Sequence, residues 1–408
     1  MARIVMKFGG TSVADVDRVK GVARTVKREL DAGNEVGVVV SAMAGVTNRL
    51  EGYVREMATL FDLREYDTVV SAGEQITAGL LAIALQELEV NARSWLGWQV
   101  PVHTDTAHGS ARIREVEGEA ILTRMAEGQV PVFAGFQGIE DERGRVTTLG
   151  RGGSDTSAVA LAAALGADRC DIYTDVDGVY TTDPRIVAKA RKLDRISYEE
   201  MLEMAAQGAR VLKNRAVEMA MRHRVPVQVR SSFDPGAPGT LVVGEDEIVE
   251  QDIVTGIAYS PDEAKITLTR VADRPGVAAG IFGPLAEENI NVDMIVQNVS
   301  PEGDATDVTF TVAKGDYDRA IKLLEDKRET FGYQELRPDR DVVKVSVIGV
   351  GMRSHAGVAE TMFRALSEKG INISVIATSE IKISVLIADE YLELALRTLH
   401  SAYGLDAP

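Results

Sequence analysis

The chain has 408 residues, of which 45% are hydrophobic and 26% charged, a composition typical of globular proteins with ample material for a core. A length prior of about 150 residues per domain predicts two or three domains. With 45 Lys and Arg against 62 Asp and Glu, the formal net charge is −17. This charge argues against attraction to nucleic acid or an anionic membrane, so neither partner is expected and a small ligand is the better expectation.

Cysteine content and apolar runs bear on the compartment. The single Cys170 excludes an internal disulfide and any multi-cysteine metal site, which favours a reducing environment. No long apolar run precedes the first strand, and the longest apolar stretches, Ile76 to Leu85 and Ala158 to Leu165, are shorter than the roughly 20 residues of a membrane helix. A cytoplasmic protein is therefore predicted.

The first 245 residues alternate between strand-like apolar runs and helical spacing. Ile4 to Met6 suits a strand, Val16 to Leu30 a helix that Asp15 can cap, and Val36 to Val40 a second strand. The pattern continues with helices at Ile76 to Leu88, Ser157 to Leu165 and Met201 to His223, and strands at Val130 to Phe136, Cys170 to Tyr173 and Val227 to Val229. This order predicts an α/β domain whose mostly parallel sheet is covered by helices on both faces.

The remainder of the chain contains an internal duplication. Eight residues recur at a constant offset of 81 residues: Gly276, Val277, Ala278, Phe282, Leu285, Ile290, Asn291 and Ile295 match Gly357, Val358, Ala359, Phe363, Leu366, Ile371, Asn372 and Ile376. Each copy has the order strand, helix, strand, strand, helix, which predicts two small βαββαβ units.

Two glycine-rich turns suit anions. Lys7, Gly9 and Gly10, followed by Thr11 and Ser12, would place a cation and bare backbone N–H groups after the first strand, as a phosphate requires. A glycine pair after a first strand is more often simple turn chemistry, so this motif alone does not decide.

The second turn runs from Gly150 to Asp155. Arg151 can hold a carboxylate with two hydrogen bonds, the amides of Gly152 and Gly153 can face an anion, and Ser154 or Asp155 can cap the next helix. Capping explains the last two residues but not the arginine and glycines beside them, which favours an acid-binding turn.

Two further segments lie where ligands collect in open α/β sheets. Ser41 and Thr47 follow the second strand, although Thr47 can equally be a helix cap. Glu74 opens an apolar helix, where it complements the helix dipole or holds a ligand ammonium group.

Several familiar motifs are excluded. The Asp175 to Ile186 segment lacks the glycine and glutamate that a calcium loop needs at its sixth and twelfth positions. Gly349-Val350-Gly351 lacks the third glycine of a dinucleotide fingerprint, and no Walker lysine motif is present. The five histidines, His103, His108, His223, His355 and His400, lie outside all the glycine-rich turns, so neither a histidine base nor a zinc site is expected.

With these motifs in order, the chain resembles the aspartokinases, members of the amino-acid kinase family, along its whole length. The match rests on Lys7 to Ser12, Ser41 to Thr47, Gly73-Glu74, Arg151 to Asp155 and Thr174 to Arg185, and the duplicated tail resembles the family's paired ACT regulatory domains. The resemblance implies an amino-acid kinase fold over 1–245 and a linker over 246–262, of which 253–260 supplies an outer strand of the second ACT unit. It further implies ferredoxin-like ACT units over 263–337 and 338–408.

The resemblance also implies ligand contacts. The implied ATP-binding residues are Lys7, Phe8, Gly9, Gly10, Ser41, Thr174, Asp175, Tyr180, Asp183, Arg185 and Arg210, the last standing where relatives often carry lysine. The implied aspartate-binding residues are Ser41, Thr47, Glu74, Arg151, Gly152, Gly153 and Ser154, with Lys7, Arg151 and Asp155 as catalytic residues. Mg²⁺ would be held mainly by the nucleotide phosphates, with no metal site of the protein's own. Lys213 stands where many relatives have histidine.

The implied chemistry needs no general base. The side-chain carboxylate of aspartate has an ordinary pKa of about 3.9 and is already ionised at neutral pH. Catalysis then consists of positioning and charge neutralisation, with Asp155 orienting Lys7 or the water around the metal.

The paired ACT units imply feedback by lysine, threonine or both, and a homodimer or larger assembly formed through these units. The first-copy positions that match the family's effector contacts are Asp273, Ala278, Asn291, Val292, Asp293 and Gln297.

Two rival functions are weighed. A kinase of the same fold acting on glutamate or N-acetylglutamate would not usually carry the paired ACT tail. A catalytically silent amino-acid sensor would not need Lys7, Arg151 and Asp155 intact.

Overall fold

A computed structural model of the chain describes residues 1–208, 211–248, 253–299 and 305–406. The chain divides into two compact units. The first comprises Met1–Val179, Lys192–Ala205 and Arg210–Val249, and the second comprises Tyr180–Arg191, Ala206–Ala209 and Glu250–Pro408.

The first unit contains twelve strands and eight α-helices among the described residues. The strands are β1 Arg3–Phe8, β2 Glu35–Val40, β3 Ala92–Trp95, β4 Val102–Thr104, β5 Ile113–Val116, β6 Val130–Ala134, β7 Gln137–Glu140, β8 Val146–Thr148, β9 Arg169–Thr174, β10 Arg195–Ser197, β11 Val227–Ser231 and β12 Thr240–Val243. The helices are α1 Val16–Asp31, α2 Val46–Met57, α3 Leu63–Val70, α4 Ala72–Gln86, α5 Glu119–Ala126, α6 Gly153–Ala164, α7 Tyr198–Ala206 and α8 Asn214–His223.

An eight-stranded sheet in the order β10-β12-β11-β9-β1-β2-β6-β3 forms the centre of this unit. Its described strand pairs are parallel except for β11 with β12. Phe8 pairs with Val40 on one side and with Tyr173 on the other, so β1, β2 and β9 end at the same edge. The turns that follow these three strands therefore meet there. A second sheet, β5-β4-β7-β8, leads through β8 to Gly150.

Both faces of the central sheet are covered. Met6 and Tyr173 pack with α1 and α4 in one core. Ile172, whose side chain points to the opposite face, packs with Val159 of α6 and Ala216 of α8. The predicted mostly parallel sheet with helices on both faces is confirmed.

One helical stretch, Leu63–Gln86, is long and apolar enough to cross a membrane by length and composition, with a mean hydropathy of 1.4. Half of its most apolar window is buried within the protein. Ser71 divides it into α3 and α4, and Ala78, Leu81 and Leu85 of α4 are fully buried against the sheet. Burial of this kind is what a core helix shows.

Two predicted helix caps are wrong. Helix α6 begins at Gly153 and is preceded by Gly152, whose φ is 79°, so Ser154 and Asp155 lie inside the helix and cap nothing. Likewise α2 begins at Val46 after Gly45, whose φ is 77°, so Thr47 is not the cap. A glycine with positive φ can lead the chain into a helix without a side-chain cap, and this leaves the neighbouring polar side chains available for other partners. Asp15 does cap α1, accepting from the Arg18 N–H at 2.9 Å.

The second unit is built on one six-stranded sheet in the order β14-β15-β13-β16-β18-β17. Its elements are β13 Gly256–Ala272, α9 Val277–Glu287, β14 Val292–Val299, β15 Ala305–Val312, α10 Tyr317–Asp326, α11 Arg328–Phe331, β16 Glu335–Ile348, α12 Val358–Glu368, β17 Val375–Thr378, β18 Lys382–Ala388 and α13 Leu392–Ala402. The duplicated glycines Gly276 and Gly357 occupy equivalent positions before α9 and α12. Their φ values are 91° and 95°.

The boundaries of the units differ from the predicted 1–245 and 246–262 segments. Tyr180–Arg191 groups with the second unit. Val187 lies in that unit's core, Thr181 O accepts from the Ile257 N–H at 2.7 Å, and the Thr181 hydroxyl lies 2.9 Å from Nε2 of His400. The predicted linker already contains the start of β13, whose 256–260 part pairs with β16 beside β18.

The turn before α6 gives the first prediction. Gly152 and Gly128 both have a φ of 79°. A Cβ atom at position 152 would overlap Cγ of Lys213, whereas a Cβ atom at position 128 would have no other atom within 4 Å. Gly128→Ala should therefore cost about 1 kcal/mol of unfolding free energy, and Gly152→Ala roughly 1–2 kcal/mol more. Urea unfolding followed by tryptophan fluorescence is the measurement, since both tryptophans, Trp95 and Trp98, lie in the first unit.

A double variant separates backbone strain from overlap. Adding Lys213→Ala to Gly152→Ala should remove the additional loss of unfolding free energy that overlap causes. The double variant should then lose only as much as Gly128→Ala does. Equal losses for the two single variants would show that the lysine contact does not constrain the turn.

Candidate active site

Lys7 stands near the end of β1 with its ammonium group almost buried. Its side chain is 9% exposed, and Nζ lies 2.5 Å from Oδ1 of Asp155, whose side chain is 12% exposed. The oxygen has no aligned hydrogen bond, so the contact is an ion pair held by charge. Asp155 lies in the first turn of α6, so the pair brings together the predicted glycine-rich turns.

The first glycine turn is closely packed. A Cβ at Gly10 would lie 3.0 Å from the carbonyl oxygen of Ala42, and one at Gly9 would lie 3.5 Å from Nζ of Lys7. The Gly9 N–H donates to Tyr173 O at 3.2 Å, so this amide does not face an anion as predicted. Within the described residues, the amides of Gly10 and Thr11 have no acceptor. Two N–H groups thus stay available beside the ammonium.

Glu74 is a buried acid with a vacant acceptor. It is 3% exposed, and Oε1 accepts from the Ala42 N–H at 2.9 Å. Oε2 is buried without a hydrogen-bond partner in the described part of the chain. Burial raises the pKa of Glu74 to about 7, against the opposing influence of the Ala42 amide and the Lys7 charge. A ligand cation at Oε2 would satisfy this oxygen and favour the ionised carboxylate.

The second turn presents Arg151 to solvent. Its side chain is 85% exposed, and the nearest carboxylate oxygen, Oε2 of Glu51, lies 3.9 Å away. The base of the turn is fixed by Arg215 of α8, which donates to Leu149 O at 2.5 Å and to Ala111 O at 2.7 Å. These two hydrogen bonds of Arg215 could not be predicted from sequence, because an arginine on a helix is most often solvated.

The other residues predicted to bind aspartate lie on three segments of the first unit. Ser41 follows β2, and its N–H donates to Phe8 O at 3.1 Å. Ser154 is 7% exposed and packs against Gly135, where a Cβ would lie 3.0 Å from that of the serine. Thr47 is half-buried on α2.

The residues predicted to bind ATP are divided between the two compact units. Thr174 ends β9, and its hydroxyl donates to Asp175 at 3.2 Å, both in the first unit. Tyr180, Asp183 and Arg185 belong to the second unit. The Arg185 guanidinium hydrogen-bonds both oxygens of Asp183 and lowers the pKa of that carboxyl. Arg210 lies outside the described residues.

The predicted effector residues lie on α9, β14 and the loops before them. Asp273, Ala278, Asn291 and Gln297 are exposed, and Val292 is half-buried in the first copy's core. Asp293 is already engaged: Oδ2 accepts from Nζ of Lys344 and Oδ1 from the Met294 N–H, at 2.6 and 2.8 Å. Asp293 therefore connects β14 to β16 within the second compact unit.

The donor set of the first unit fits an anionic phosphate compound and an amino acid. Lys7, with the amides of Gly10 and Thr11, offers positive charge and donors, while Oε2 of Glu74 lacks the partner that an ammonium group would supply. Among the described residues, no group of three or more His, Cys, Asp and Glu side chains has an arrangement able to hold a metal ion.

Known protein families match the chain in two parts, one N-terminal and one C-terminal. The amino acid kinase family matches residues 2–231, and ACT domains match 265–329 and 345–403. The chain is 54% identical over 409 residues to the aspartate kinase of Stutzerimonas stutzeri (strain A1501), covering 100% of this chain and 98% of the relative. It is 48% identical over 408 residues to the aspartokinase of Mycobacterium tuberculosis (strain H37Rv), covering 99% and 97%.

Solved structures agree. Escherichia coli aspartokinase III in complex with aspartate and ADP, in its R-state, is 31% identical with a TM-score of 0.79, and covers 98% of this chain and 99% of its own. The same enzyme with lysine and aspartate, in its T-state, is 32% identical with a TM-score of 0.77, covering 98% of each chain. The chain therefore belongs to the amino acid kinase family and, within it, to the aspartokinases, with two C-terminal ACT domains.

Proposed function

We propose that the protein transfers the γ-phosphoryl group of ATP to the side-chain carboxylate of L-aspartate, giving 4-phospho-L-aspartate for lysine, threonine and methionine biosynthesis. The observation that carries the proposal is the buried ion pair of Lys7 and Asp155, because it joins the two turns suited to the two anions. The complex of Escherichia coli aspartokinase III with aspartate and ADP supports the choice of substrates.

The residues divide the work by charge. Lys7 and the amides of Gly10 and Thr11 neutralise the transferring phosphoryl group, and Arg151 holds a carboxylate of aspartate with two hydrogen bonds. Oε2 of Glu74 accepts from the ammonium group of aspartate and so distinguishes a free amino acid from an N-acylated one. Mg²⁺, when bound through the nucleotide phosphates, supplies further neutralisation of the same charge.

The transfer itself needs no proton acceptor on the protein. A carboxylate oxygen of aspartate forms a bond to the γ-phosphorus while the bond from that phosphorus to the bridging oxygen breaks, and ADP leaves. The nucleophile is already ionised at neutral pH. Asp155 keeps the Lys7 ammonium in place and takes no proton.

The ACT tail carries feedback in this proposal. Lysine, threonine or both bind at the exposed positions Asp273, Ala278, Asn291 and Gln297, and the lysine complex of Escherichia coli aspartokinase III supports an amino-acid effector. A coupling of roughly 1–3 kcal/mol would be sufficient for useful inhibition. We further propose a cytoplasmic homodimer or larger assembly formed through the ACT units.

The ion pair can be tested directly. Lys7→Met should lower kcat at least 100-fold, and Asp155→Asn about tenfold, because the lysine then loses its partner but keeps its charge. Steady-state ADP release with saturating aspartate and MgATP is the measurement. Asp168→Asn, a change of the same charge outside the site, is the control. Undiminished turnover in Asp155→Asn would remove the positioning role of this carboxylate.

Glu74 predicts a pH dependence. With a pKa of about 7 in the free protein, the carboxyl is increasingly protonated below pH 7 and cannot accept an ammonium group. The KM for aspartate should therefore rise as pH falls from 8 to 6, about tenfold, with the KM for ATP nearly constant.

Glu74→Gln should show a high KM that is flat over the same range. Glu87→Gln, at the exposed C-terminal end of the same helix, should behave as the parent. A parent KM that does not change with pH would contradict the role of Glu74.

Feedback is tested by adding lysine and threonine singly and together. At saturating substrates, at least one combination should reduce turnover severalfold, and Gln297→Ala, an exposed β14 position, should weaken that inhibition at least fivefold with kcat unchanged. Gln334→Ala, outside the predicted effector positions, is the control. Turnover indifferent to all three additions would end the regulatory proposal.

A further inference from the structure

The first unit contains a groove most of whose lining residues have no role in the proposed reaction. Helix α1 and the 232–235 segment after β11 enclose a volume of about 510 Å³. Phe8, Val22 and Thr25 are buried residues of its lining, and three arginines of α1 also line it: Arg18, Arg24 and Arg28.

These arginines have no carboxylate partner among the described residues. Three acidic side chains on or next to α1 have other partners: Asp15 caps the helix, Glu29 accepts from Asn34 at 3.0 Å, and Asp31 pairs with Lys27. Asp17, in the first turn of α1, forms no ion pair with these arginines among the described residues. Three guanidinium groups therefore share one groove uncompensated, in a chain whose net charge is −17. Their mutual repulsion is relieved when an anion binds.

Two of the arginines are already held in place. The Arg18 guanidinium lies 4.5 Å from the centre of the Phe233 ring, and Nη2 of Arg28 donates to Pro235 O at 3.0 Å. One guanidinium has five N–H donors, so both retain free donors. Oγ of Ser232, another residue of the lining, is buried without a partner in the described residues.

We propose that this groove binds a compound with two or three linked phosphate groups. Each guanidinium can hold two phosphate oxygens, and the Ser232 hydroxyl supplies a further donor. A compound with one charge would leave most of the cationic lining unmatched, whereas a di- or triphosphate matches it. Inorganic polyphosphates and nucleoside triphosphates share this chemistry, and the exposed ring of Phe233 offers a stacking face to a base.

The test must separate this groove from the ATP site, because Phe8 of its lining belongs to the Lys7 to Gly10 turn and Ser12 follows that turn. The full-length protein is saturated with the non-hydrolysable ATP analogue AMP-PNP, with Mg²⁺ in excess over all phosphate compounds. Tripolyphosphate in one arm and GTP in the other are then titrated by calorimetry. Binding near one equivalent per chain is expected despite the occupied ATP site.

The variant Arg24→Gln/Arg28→Gln should weaken this binding at least tenfold, and Arg24→Lys/Arg28→Lys should weaken it less. The control Arg114→Gln/Arg222→Gln removes the same charge from exposed positions of the same unit and should bind as the parent. Turnover without tripolyphosphate should be unchanged in all variants, which shows that they are folded.

The relative affinities of GTP and tripolyphosphate identify the class of ligand. GTP binding tighter than tripolyphosphate and lost in the groove variant assigns a nucleotide, and equal affinities assign the phosphates alone. No binding in the presence of AMP-PNP, or an equal loss in the control, overturns the proposal without affecting the proposed kinase reaction.

Discussion

The buried ion pair between Lys7 and Asp155 is the constraint on which the first unit's site depends. Removing both charges from water costs several kcal/mol per ion, and the pair is stable only when each charge stays beside the other. Lys7 is fixed by β1 at the centre of the sheet, so Asp155 fixes the start of α6 relative to that strand. The Gly150 to Gly153 turn is thereby placed beside the Lys7 to Gly10 turn, although the two lie far apart in the sequence.

In the proposed reaction, these charges take the place of a histidine base. His103 lies between Asp141 and Glu117, His108 contacts Asp67, and His400 contacts Thr181 and Asp406, so each serves local structure. A reaction whose nucleophile is an ionised carboxylate is limited by repulsion between anions, which a buried ammonium reduces. Glu74 is consistent with this account, because burial raises the pKa of its carboxyl to about 7 and a cation at Oε2 would favour the ionised form.

Apolar runs of strand length predict β1, β2, β6, β9 and β11 of the central sheet, but they do not predict its shorter strands β3, β10 and β12. The helix starts were not predictable in the same way. Side-chain capping rules allow Thr47, Ser154 or Asp155 as caps, whereas Gly45 and Gly152 lead into these helices by their positive φ. The hydrogen bonds from Arg215 to Leu149 and Ala111 join segments that are distant in the sequence, so no local sequence pattern predicts them. The assignment of Tyr180–Arg191 to the second unit likewise rests on long-range burial of Val187.

In the ACT tail, sequence duplication suggested two separable modules, but charge joins them. Nζ of Lys344, 5% exposed on β16, lies 2.6 Å from both Glu263 of β13 and Asp293 of β14. Lys344 belongs to the second copy and Asp293 to the first, so neither copy can be removed without leaving a buried charge unpaired. A ligand that shifts β14 through its exposed residues must either break this contact or move β16 with it. Breaking it would leave the buried ammonium group with Glu263 as its one remaining carboxylate partner of the two, so the contact with Asp293 opposes movement of β14 away from β16.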